Sequence, residues 1–199
     1  MELLNRRREM GGKSLPYDAE IEYLQSTGAY IVIPYGIDST TNMRVEFIIG
    51  GNTAKDRFVF GSSDGWEVNM TMLGASDIYT LRCGTSGAVL VPSYYAPFNS
   101  KNIFIKNGVN ISLGSYSYTS SNYSKTIERT FLFAGTSNGK SAFSAGNNVR
   151  IYSFYMSNAE YCIDLIPVRV GNVGYMYDKI SKQLFGNAGT GAFVLGPDK

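Results

Sequence analysis

The chain has 199 residues, 44% of them hydrophobic and 17% charged, and a net charge of +2. That is length enough for one large β-domain or two small ones with a core needing no disulfide or metal staple. So small a net charge gives no reason to expect nucleic acid, and no run of about 18 apolar residues offers a membrane span.

The complete absence of His removes Ser–His and Cys–His nucleophile pairs and imidazole zinc sites. Cys83 and Cys162 are too few for a disulfide framework. Both sit in apolar strand contexts, where a free Cys is expected to behave as a small buried hydrophobe. The 15 Tyr, 11 Phe and 22 Gly favour strands and turns.

Residues 1–16 read as an arm and linker. Leu3, Leu4 and Met10 around Arg6-Arg7-Arg8 predict a short helix or flexible arm, ended by Gly11-Gly12. No apolar stretch follows the charges, so this is not a secretory signal. Such an arm offers a contact for a homo-oligomer or a larger assembly.

From Tyr17 onward the period is two. Strands are predicted at Ala19–Leu24, Ala29–Ile33, Met43–Ile49, Arg57–Phe60, Trp66–Met72 and Ile78–Cys83, with turn residues between them. Pro92 and Pro97 demote residues 84–101 to loop or edge. Asn107-Gly108 is the strongest hairpin signal, joining Asn102–Ile105 to Val109–Leu113. Residues 115–125 are polar and Tyr-rich, a surface loop or an edge hairpin, and Arg129–Phe133 is again a strand. In the last fifty residues Val149, Ile151, Ser153 and Tyr155 are expected on one face, with Arg150, Tyr152 and Phe154 on the other. Tyr161, Ile163 and Leu165 then alternate with Cys162, Asp164 and Ile166. The fold class is therefore all-β, a two-sheet antiparallel sandwich over residues 17–199.

Glu22-Tyr23-Leu24-Gln25-Ser26-Thr27-Gly28-Ala29-Tyr30-Ile31 resembles an opening of concanavalin A-like, laminin-G-type lectin/glucanase domains. Ile105-Lys106-Asn107-Gly108 resembles that fold's Asn-Gly hairpin. Ile166-Pro167-Val168-Arg169, Gly174–Asp178 and Gly186–Phe193 are similar to its closing motif. The resemblance implies a jelly roll of the kind found in phage and prophage tail proteins and on gut-bacterial surfaces. It implies function only loosely, since the fold carries lectins, glycosidases and spacers alike.

Glycoside hydrolysis needs two carboxylates flanking the scissile bond. Asp18, Glu20 and Glu22 share one side of the opening strand but read more simply as its solvent face, opposite Ile21 and Tyr23. Ala134–Ser141 fits a relaxed phosphate-loop pattern, yet a strand rather than a helix follows, so no nucleotide site is expected. Calcium is the ligand the resemblance implies, but Asp38, Asp56, Asp64 and Asp77 lie in separate loops with no dense cluster. No cofactor is expected.

Sugar rings lie on aromatic faces ringed by polar groups. Trp66 with Glu67, the pair Tyr94-Tyr95, and Tyr116, Tyr118 and Tyr123 in their polar stretch are the binding candidates. The plainer reading makes Trp66 core and the tyrosines ordinary edge residues. A glycan and a protein partner suit this pattern alike. The expectation is a non-enzymatic carbohydrate-binding or adhesion module of a phage tail or bacterial surface assembly. Its alternatives are a purely structural interaction domain and, from another class, a glycosidase.

Overall fold

The computed structural model describes residues 15–50, 57–64, 67–75, 78–83, 86–121, 123, 129–136, 142–143 and 148–199. The arm at 1–14 and residues 137–141 of the phosphate-loop-like stretch lie outside them.

In chain order the strands begin with β1 (Ala19–Glu20), β2 (Leu24–Ser26), β3 (Ile31–Ile33), β4 (Asn42–Ile49), β5 (Arg57–Asp64), β6 (Glu67–Ala75) and β7 (Ile78–Cys83). The middle holds β8 (Ser86–Pro92), β9 (Asn102–Asn107), β10 (Asn110–Leu113), β11 (Tyr116–Thr119), β12 (Thr130–Leu132), β13 (Gly135–Thr136) and β14 (Ala142–Phe143). The close holds β15 (Val149–Ser157), β16 (Cys162–Val170), β17 (Val173–Asp178), β18 (Leu184–Phe185) and β19 (Phe193–Leu195). One 3-10 turn, Ser93–Tyr95, is the only helical piece among the described residues.

Two antiparallel sheets stack as a sandwich. The larger runs β11–β10–β9–β4–β15–β16–β17–β18, with β1 added on β16 and β2 joining β15 to β19. The smaller runs β3–β12–β5–β6–β7–β8. The chain changes sheet between β2 and β3, β3 and β4, β4 and β5, β8 and β9, and β11 and β12, then passes through a separate two-stranded β13–β14 sheet and returns to the larger sheet at β15. Neighbours such as β4 and β15 are therefore distant in sequence, as in jelly-roll architectures.

Alternation supplies the core. β4 buries Met43, Val45, Phe47 and Ile49 and leaves Asn42 and Arg44 outside. Phe104 of β9 meets Phe60 of β5 across the sheets, centroids 5.2 Å apart, and Phe47 of β4 meets Tyr79 of β7 at 6.2 Å. Burial pushes the Tyr79 phenol pKa well up, and its oxygen accepts from the Asn102 side chain.

The ends of this region close on each other. β19 pairs with β2, Thr27 Oγ1 donates to the Ala192 carbonyl at 2.8 Å, and Ala188 N–H reaches the Tyr30 carbonyl at 2.8 Å. The opening and closing motifs of the sequence are thus one contact. A Cβ on Gly191 would lie 2.5 Å from the Gly28 carbonyl carbon, so only glycine permits this approach.

Four expectations need correction. Ile151 pairs with Phe47 but Ser153 with Glu46, so Tyr152 is the extra residue of a β-bulge. The bulge flips the phase of β15, and Phe154 and Met156 turn inward where Ser153 and Tyr155 were expected. Asn107 pairs with Asn110, so the hairpin turn is Gly108-Val109, one residue later than expected. Gly108 has φ +59° and Val109 lacks positive φ, the type II′ pattern. The opening strand is split into β1, an Ile21–Asp198 bridge and β2. Cys162 is free and exposed, because Tyr161 and Ile163 take the inward phase.

Pro167 is tolerated inside β16 for a local reason. Its carbonyl accepts from Ile21 N–H, so its nitrogen faces the same side, where the β15 ladder has ended at Leu165 and β1 begins at Val168.

Candidate functional site

The predicted Tyr-rich stretch is an edge hairpin. β10 turns through Gly114-Ser115 into β11, the terminal strand of the larger sheet, with Leu113 opposite Tyr116 and Ile111 opposite Tyr118. Tyr116 and Tyr118 share the inward face with buried Leu113 and Ile111. Ser117 and Thr119 point the other way and are exposed.

The Ser93–Tyr95 turn docks on this hairpin through Ser115 N–H, which donates to the Tyr95 carbonyl at 3.2 Å. Gly114 makes the docking sterically feasible. It has φ +57°, and a Cβ there would fall 2.0 Å from the Tyr95 carbonyl oxygen. Four predicted residues then form a continuous row. Ring centroids lie 4.4 Å apart for Tyr94 and Tyr95, 5.3 Å for Tyr95 and Tyr116, and 6.1 Å for Tyr116 and Tyr118. Tyr94 heads the row at 72% exposure. Its phenol is shifted above the ordinary tyrosine range, first by its hydrogen bond with Tyr95.

The other predicted residues are elsewhere. Tyr123 lies 5.6 Å by ring centroid from the Lys106 ammonium, and its carbonyl accepts from Ser39 N–H. Trp66 lies outside the described residues, and Glu67 is described only as a backbone position opening β6.

The carboxylates singled out in the sequence have individual tasks. Asp18 accepts from Gly171 N–H at 2.7 Å and Glu20 from the Tyr17 hydroxyl at 3.2 Å, while Glu22 is exposed. Asp38 closes its own loop by accepting from the N–H and hydroxyl groups of Thr40 and Thr41. Burial raises its pKa, but these donors together outweigh that and hold it below the ordinary value. Asp56 and Asp77 lie outside the described residues, and Asp64 is described by its backbone alone. No cluster of three or more acidic, Cys or His side chains suited to a metal occurs among the described residues. No described helix is long and apolar enough to cross a membrane.

Two features escaped the sequence reading. Lys106 is fully buried, its Nζ donating to the carbonyls of Asp38 at 2.7 Å, Thr41 at 2.8 Å and Gly108 at 2.6 Å. Three donors meet three acceptors, which makes a buried ammonium tolerable. The signal was present: Asn102, Phe104 and Lys106 share one phase of β9. The second feature is an open depression of about 460 Å³ at β9, β10 and β11, lined by Asn107, Ser112 and Ser117 and also by Ile111 and Tyr118. Finding it required the hairpin register, which brings Ser112 opposite both Ile105 and Ser117.

No family model matches this chain, and no curated protein matches it. Among solved structures, the fold is similar to a botulinum neurotoxin serotype D binding domain. The TM-score is 0.47 and the identity 8%, over 95% of this chain and 68% of that one. So distant a likeness carries no function across.

Proposed function

We propose that the chain is a non-catalytic carbohydrate-binding module of concanavalin A-like type, displayed on a phage tail or bacterial surface assembly. The observation that carries this is the tyrosine row Tyr94–Tyr95–Tyr116–Tyr118, led by an exposed ring and set by the Gly114 contact. Aromatic rings accept the apolar C–H face of a pyranose, and their hydroxyls serve its rim. The non-catalytic part is supported by the carboxylates already engaged in holding the fold, including Asp198 with Arg169, Asp164 with Lys179 and Glu46 with Arg44. A glycan array probed with the full chain tests the reading. Binding is expected, and Tyr94→Ala and Tyr95→Ala should each abolish the strongest signals. An empty array, or signals indifferent to both changes, would refute it.

A second reading rests on a different observation. β11 ends the larger sheet, with no strand beyond it among the described residues. An edge of this kind can receive a strand from a partner protein. An empty array together with retained assembly would favour it.

A further inference from the structure

We infer that the outward face of the larger sheet around Tyr152 is a docking site for an acidic segment of a protein partner. Four side chains build it. The rings of Tyr23 and Tyr152 lie 5.5 Å apart by centroid. The Lys101 ammonium sits 4.0 Å from the centroid of Tyr152, and the Arg150 guanidinium 4.6 Å from that of Tyr23. An aromatic pair thus carries a cation at each end. The bulge makes this arrangement: Tyr152 is the residue of β15 without a partner on β4, and a bulge re-aims a side chain. Its ring reaches across β4 to Lys101, which immediately precedes β9.

Both cations are held in place without a counter-ion. Lys101 is exposed and makes no hydrogen bond or ion pair among the described residues. A ring face fixes an ammonium without taking up its three donors. Arg150 donates through Nε to Gln25 Oε1 at 2.7 Å and hydrogen-bonds with the Tyr152 side chain. No carboxylate pairs with it among the described residues. Glu22, which is exposed, is the acid whose charge reaches Tyr152, so two cations face one carboxylate. Arg44, on the same face of the sheet, is by contrast already paired with Glu46.

The register decides the kind of partner. Ile48 pairs with Arg150, and Phe47 pairs with Asn102, the neighbour of Lys101. Ile48 therefore lies between the two cations, which stand two strand spacings apart, about 10 Å. Beyond Arg150, Gln25 pairs with Val194, which is 46% exposed. Read across the strands, the row is cation, apolar, cation, amide, apolar. An extended peptide with acidic and apolar side chains complements it, and the guanidinium fork can take a carboxylate in two parallel bonds. Two cations are far fewer than the roughly 6–10 phosphate contacts of a strongly salt-dependent nucleic-acid binder.

The test is fluorescence anisotropy of a labelled, capped peptide of alternating glutamate and valine, titrated with the full chain. Its glutamine–valine counterpart and an oligothymidylate are run beside it. Saturable binding is expected for the glutamate peptide alone, weakening by about fivefold or more between roughly 50 and 300 mM salt. Lys101→Ala and Arg150→Gln should each weaken it by about fivefold or more. Tyr152→Ala should weaken it too while keeping both charges. Lys101 is exposed, so its variant keeps the fold, and thermal midpoints check the other two. Glu22→Gln removes the opposing charge and should tighten binding, whereas Arg44→Ala should bind like the parent. No binding of the glutamate peptide, equal binding of the glutamine peptide, tighter binding of the oligothymidylate, or an affinity indifferent to Lys101→Ala would each overturn the inference.

Discussion

The two faces of the β9–β10 hairpin handle polarity in opposite ways. Inside, Lys106 brings a charge to a fully buried position and satisfies it completely with three carbonyls. Outside, Asn107, Ser112 and Ser117 make no side-chain hydrogen bond among the described residues. The inner arrangement locks the 38–41 loop to the hairpin turn, because breaking it would leave carbonyls buried without donors. The outer one ties no loop to the hairpin. Polar groups saturated within the fold are structural; those left open at its edge are where recognition is to be sought.

The sharpest way to break the inner side of this comparison is Lys106→Met. It keeps the apolar stem and removes the donor, leaving the carbonyls of Asp38, Thr41 and Gly108 unsatisfied. An unmet buried acceptor costs about 1–3 kcal/mol, so chemical denaturation should show a loss of about 3 kcal/mol or more. A loss below about 1 kcal/mol would mean that water replaces the ammonium.

Gly114→Ala comes next, since the new Cβ collides with the Tyr95 carbonyl and the backbone has positive φ. Strain of this kind costs about 1–3 kcal/mol. The Ser93–Tyr95 turn should detach, and the glycan binding proposed for the tyrosine row should be lost even where the fold survives. Unchanged stability together with unchanged binding would refute the docking.

Asp178 is a second saturated group, placed at the closing end. Its carboxylate accepts from the N–H groups of Asp164, Ile180 and Ser181 and from the Ser181 hydroxyl. Burial raises its pKa, but these donors outweigh burial and hold it below the ordinary 3.8. A depressed folded pKa means the stabilisation is complete above the unfolded value and is lost as pH falls through the folded one. Asp178→Asn should therefore cost about 2 kcal/mol at neutral pH, the scale of hydrogen bonds to a charged group. It should also flatten the acid limb of stability below about pH 3.8. An acid limb as steep as the parent's would assign that loss to other carboxylates.

Much of this architecture was legible in the residues, because period-two alternation in Met43–Ile49 and Tyr161–Leu165 translates directly into a buried and an open face. It failed at Tyr152, where one extra residue reverses the phase of everything after it. Nothing local in Ile151-Tyr152-Ser153 announces a bulge; the pairing with β4 imposes it. The tyrosines were legible as candidates by type, but their assembly into a row depends on Gly114 bringing together residues about twenty positions apart. The depression at β9–β11 was not legible, since it exists only once three strands are in register.

The smallest structural perturbation is also the most informative one. Tyr94 is exposed, so Tyr94→Ala should change stability by about 0.5 kcal/mol or less. Calorimetric titration of the strongest array glycan into the parent and into Tyr94→Ala, with thermal midpoints measured alongside, tests the proposed recognition most directly. An affinity loss of about tenfold or more is expected at an essentially unchanged midpoint. Equal affinities in the two proteins would contradict it.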